Sequence, residues 1–139
     1  MRYQKTAQEK SLRQLTPDTL FIIRPEDKID NLPALSQTHT EQKEIKQLYD
    51  EMLALPTSKR SGSCPVSFFS EYRLDFYKDN KLILQSVLKP TGCSSVTLNN
   101  AEIKDALYKE GQEFILHVQE ITGLSNGDFY GYQNGKPLR

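Results

Sequence analysis

The chain has 139 residues and balances 18 Lys and Arg against 18 Asp and Glu. That length makes one domain with a real core, and zero net charge supplies no field drawing the chain to nucleic acid or an anionic membrane. No run approaches the roughly 18 consecutive apolar residues of a membrane-spanning helix.

Residues 1–15 are polar, with only Leu12 and Leu15 suited to packing, and read as a polar tether. They carry Arg2, Lys5, Lys10 and Arg13 but no apolar stretch, so they are not a signal peptide. A signal peptide or lipid anchor, if the protein is exported, is expected upstream of Met1. A single α+β domain is expected over 16–124. Thr19–Arg24, apolar, β-branched and bounded by Pro17 and Pro25, predicts a strand. Residues 26–37 hold Pro33 and little periodicity and read as a connection. Thr38 and Glu41 have capping-box spacing. Ile45, Leu48, Tyr49 and Met52 then follow at i, i+3, i+4 and i+7, which predicts a helix over 40–54, stopped by Pro56.

The centre predicts a β-hairpin, from Val66–Tyr77 and Leu82–Leu88 across Lys78-Asp79-Asn80-Lys81. A three-residue loop at 79–81 pairs Phe76 with Leu84, Leu74 with Ser86 and Tyr72 with Leu88. It gathers Tyr72, Leu74, Phe76, Leu82, Leu84 and Leu88 on one face. A two-residue loop would set Leu74 against Gln85 and break that face, so the first register is preferred. Ser94–Leu98 is a further strand. Asn99 or Asn100 is expected to cap a short helix carrying Ile103, Ala106 and Leu107, interrupted by Gly111. A second helix is expected over 112–122, ended by a left-handed Gly123. The fold class is therefore α+β, a small antiparallel sheet of three to four strands with the helices packed on one face. Residues 125–139 read as a Gly/Tyr-rich C-terminal tail, either a short added strand or a loose end.

The two cysteines, Cys64 and Cys93, bracket the hairpin at its open end. They lie a few residues off direct register, and Pro65 with the Thr91-Gly92 turn supplies slack to reach the ~5.5 Å Cα separation of a disulfide. Closing such a loop contributes on the order of 3.5 kcal/mol in the chain-entropy model. A Cys64–Cys93 bond implies an oxidising, extracytoplasmic compartment; the other reading is two reduced, buried thiols. No four-ligand set stands at zinc spacing, and Cys-x-x-Cys is absent.

His39 sits at the expected helix start and His117 on the flank of the last helix. Neither has a Gly-x-Ser-x-Gly or His-Glu-x-x-His motif to supply chemistry. Acid pairs such as Asp50-Glu51 read as solvated faces. No glycine loop supports a nucleotide, so neither cofactor nor catalytic residue is assigned. Lys59-Arg60 with Arg73 is too small a basic patch for nucleic acid. Tyr130 and Tyr132, among glycines, form a candidate binding surface, with packing back on the sheet as the competing reading.

Cys64-Pro65, then Tyr72-Arg73-Leu74-Asp75-Phe76, Gly92-Cys93-Ser94-Ser95-Val96 and Ile121-Thr122-Gly123-Leu124 together resemble small extracytoplasmic domains of Gram-positive bacterial lipoproteins and secreted proteins. The resemblance spans about residues 64–124 and lacks the lipobox cysteine. It implies export and a disulfide, with no activity or site residue. Two functions are expected from all this. The first is a non-enzymatic extracytoplasmic domain that binds a protein or envelope component. The alternative is a small enzyme built around His117, with Glu113 and Tyr108.

Overall fold

A computed structural model describes residues 11–29, 31–58, 71–137 and 139. β1 (Thr19–Arg24), β2 (Leu35–His39), β3 (Tyr72–Lys78), β4 (Lys81–Lys89), β5 (Ser95–Leu98) and β6 (Glu102–Asp105) form one antiparallel sheet in the order β2-β1-β3-β4-β5-β6. The α+β class holds, but the sheet has six strands where three to four were expected. Two helices join it, α1 (Gln42–Ala54) and α2 (Lys109–Thr122). Strand alternation turns Leu20 and Ile22, Tyr72, Leu74 and Phe76, Leu84 and Leu88, and Val96 and Leu98 into one core. Ile45, Leu48, Tyr49, Met52 and Leu53 from α1 and Phe114, Ile115 and Val118 from α2 pack into the same core.

The central hairpin has the predicted pairs Tyr72↔Leu88, Leu74↔Ser86 and Phe76↔Leu84, reached by a different route. The loop is the two residues Asp79 and Asn80, both left-handed (φ 49° and 66°) as a type I′ turn requires. The register then shifts between Phe76 and Tyr77, where Ile83 is the extra residue of a bulge. A bulge inverts the alternation on its turn side, so Leu82 is 48% exposed rather than part of the apolar face.

Both added strands lie where the apolar pattern is weak. β2 reads Leu-Ser-Gln-Thr-His and pairs within the sheet with β1 alone, so it needs no second apolar position. Thr38 lies in this strand opposite Phe21, and the N-cap of α1 is Glu41, without a side-chain cap bond; the expected capping box does not form. The expected helix over 99–107 is instead a hairpin. Asn99 and Asn100 are both left-handed (φ 49° and 57°), a conformation that turns a chain and cannot start a right-handed helix. Asn99 accepts from the Gln85 N–H through its side chain and donates its own N–H to the Gln85 carbonyl.

α2 starts before Gly111 rather than after it. A Cβ on Gly111 would come within 2.3 Å of the Ala106 backbone, so the glycine is a close approach of helix to strand end. Gly123 ends α2 as predicted, at φ 74°, its N–H bonding to the Gln119 and Glu120 carbonyls. The tail is ordered differently from expectation. Ser125 caps a short helix, α3 (Asn126–Tyr130), by accepting from the Asp128 N–H, and a small hairpin follows, β7 (Tyr132–Gln133) with β8 (Lys136–Pro137). Phe129 is fully buried and stacks on Tyr72 at 4.5 Å between ring centroids. Among the described residues no helix is long and apolar enough to cross a membrane.

Candidate functional site

The amphipathic pattern that buries Ile45, Leu48 and Met52 leaves Glu44, Gln47 and Glu51 along the flank of α1. The same logic on α2 buries Phe114 and Val118 and leaves His117, Glu120 and Ile121 on a flank. Between the two helices lies a cleft of about 340 Å³, lined by Glu44, Gln47, Leu48, His117, Glu120 and Ile121. His117 is fixed from α1: its Nδ1 lies 2.8 Å from both carboxylate oxygens of Glu51. A carboxylate only accepts, so Nδ1 carries the proton and Nε2 is the ring's other polar atom.

His39 does not line the cleft, but Glu44 acts on it. Its Nε2 pairs with Gln37 Oε1 at 2.8 Å, and burial lowers its pKa below the usual 6.5 while the Glu44 charge opposes that shift. Gln37 in turn donates to the Thr122 carbonyl at the end of α2, tying β2 to that helix. Among the described residues no group of three His, Cys, Asp or Glu is placed to hold a metal ion. Among the described residues no serine, threonine or cysteine lines the cleft.

The structure thus pairs His117 with Glu51 and surrounds it with Glu44 and Glu120. Tyr108 and Glu113, the partners expected from sequence, are exposed and do not line the cleft. Glu51 escaped the sequence reading because it stands 66 residues from His117. The usable signal was the spacing of Glu44, Gln47 and Glu51 beside the apolar stripe of α1. Tyr130 is 7% exposed, with the Arg139 guanidinium 5.2 Å above its ring. Tyr132 is partly exposed and donates its hydroxyl to Asp128 at 2.7 Å. Neither tyrosine adjoins the cleft lining. Cys93 lies in the turn between β4 and β5, and no described cysteine is free. Cys64 lies outside the described residues, as does the expected strand before Tyr72. Comparison with protein-family models, curated proteins and solved structures gave no match.

Proposed function

We propose that the chain is a non-enzymatic extracytoplasmic domain that binds a protein or cell-envelope component, and that the α1–α2 cleft receives a positively charged group of that ligand. The observation that carries this reading is the lining. Glu44 and Glu120 line it together with the apolar Leu48 and Ile121, with Gln47 as a further hydrogen-bonding group. Both carboxylates are exposed, so each attracts a cation only modestly, and the attraction comes from the two acting together across one cleft. Among the described residues, no lining hydroxyl or thiol offers a nucleophile.

The test is an NMR titration with a tetralysine peptide, with tetraglutamate as the control. Amide shifts confined to α1 and α2 around the cleft, for tetralysine alone, are the expected result. The double variant Glu44→Gln/Glu120→Gln weakens binding about tenfold, or 1.4 kcal/mol. Shifts elsewhere, or equal response to both peptides, defeat the reading. A small enzyme around His117 is the second reading, favoured by the Glu51–His117 pair. It requires that a bound ligand be recovered chemically changed.

Export rests on the proposed Cys64–Cys93 disulfide, supported by the hairpin that the two residues bracket in sequence. Thiol titration of denatured, unreduced protein should find none. Two thiols per chain would remove both the bond and the extracytoplasmic assignment.

A further inference from the structure

We propose that two copies of this chain pair edge to edge through β2, as an antiparallel two-fold dimer that continues the sheet from one copy into the other. The two edges of the sheet differ. β6 is closed by the chain itself: the Asp105 N–H donates to Pro56 O at 2.7 Å, the Ser58 N–H donates to Ile103 O at 2.7 Å, and Thr57 bridges Lys104. β2 pairs with β1 on one side, and among the described residues no backbone group bonds to its other side.

An open edge is a template for another strand, and monomeric proteins guard theirs with lysine, proline, a bulge or an inward charge. Leu35-Ser36-Gln37-Thr38-His39 has no lysine or proline, and its register with β1 is unbroken from Leu20↔His39 to Arg24↔Leu35. The strand is also complementary to itself. Two-fold pairing centred on Gln37 sets Ser36 opposite Thr38 of the second copy, twice per dimer. Serine–threonine cross-strand pairs of this kind are stabilising. Both side chains are exposed and uncharged, and the chain as a whole is neutral, so the copies meet without like charges. A foreign strand has no such built-in match. Five residues a side bury less than a standard interface of about 1,600 Å², so the dimer is weak and reversible.

The test is sedimentation velocity on the full chain between about 1 and 300 μM. The mass should rise from that of a monomer to twice that value. Ser36→Lys/Thr38→Lys sets lysines against each other across the two-fold at solvent-facing positions. It should remain monomeric at the highest concentration with an unchanged circular dichroism spectrum. Leu116→Lys, on the exposed face of α2, should associate like the wild type. The proposal is overturned if the wild type stays monomeric, if the double lysine variant associates equally well, or if Leu116→Lys abolishes association too.

Discussion

Arg24 is 2% exposed, and the groups that hold it are neutral: the Tyr72 hydroxyl at 2.8 Å and the carbonyls of Asp128 at 2.6 Å and Pro33 at 2.9 and 3.2 Å. The Tyr72 hydroxyl in turn donates a hydrogen bond to the Phe129 carbonyl at 2.6 Å. Burial pushes the Tyr72 pKa up to about 12, although the Arg24 guanidinium pulls it down, so the hydroxyl stays a donor at any ordinary pH. Tyr72→Phe keeps the ring and its stacking but leaves a buried carbonyl and one guanidinium N–H unsatisfied. The expected cost is about 2 kcal/mol, read as a lower urea midpoint at unchanged slope. His39 supplies a pH dependence. Because burial lowers its pKa below 6.5, the unfolded chain binds a proton more readily than the folded one. Stability is then gained as pH rises towards 6.5 and lost as pH falls below it. His39→Gln should flatten that part of the profile. A melting-temperature difference between variant and wild type that is the same at about pH 5.5 and pH 7.5 would count against it.

Elements were legible from sequence where one face had to be apolar. The 4-residue and 7-residue returns of Ile45, Tyr49 and Met52 fix α1, and the alternation through Tyr72, Leu74 and Phe76 fixes the register of β3 on β4. The same rule is blind to β2, where Gln37 and His39 face inward, and to β6, where the inward Lys104 is 1% exposed. Burying that lysine takes contacts with the Leu53 carbonyl and Glu102, which no local pattern announces. The cleft was half legible for the same reason. His117 was visible as a candidate, but Glu51 reaches it only through the packing of α1 on α2. Gly111 is a case where the local rule gives the wrong sign. Alanine is the better helix former by up to ~1 kcal/mol. Here its Cβ would strike the Ala106 backbone, which cannot rotate away as a side-chain tip could. Gly111→Ala should therefore lower stability by about 1–3 kcal/mol, the usual cost of overpacking. A variant that melts at or above the wild-type temperature would show that α2 can slide to accommodate it.

At the scale of the whole molecule, the C-terminal residues close the core. Phe129 is fully buried and Tyr130 nearly so, and both belong to the one hydrophobic cluster formed by sheet and helices. Phe129 covers the Tyr72 ring, and the backbone of Asp128 and Phe129 satisfies Arg24 and Tyr72. Composition alone could not reveal this, since Gly127, Gly131 and Gly135 suggest a loose end. Gly127 is instead a point of close approach, where an added Cβ would lie 2.5 Å from the Tyr132 ring. Removing residues 125–139 would thus uncover a stacked aromatic and strip a buried guanidinium of a partner, far from any exposed end. The truncated chain is expected to lose cooperative thermal unfolding at physiological temperature. Because a deletion can fail for many reasons, Phe129→Ala is the sharper probe. It removes one buried ring and should cost about 3–5 kcal/mol, the range for aromatic truncation in a packed core. Transitions followed by near-ultraviolet and far-ultraviolet circular dichroism should coincide in the wild type, because one core spans sheet, helices and α3. A wild-type C-terminal segment that melts separately, at a lower temperature than the sheet, or a Phe129→Ala cost below ~1 kcal/mol, would mean that α3 rests on the domain without completing it.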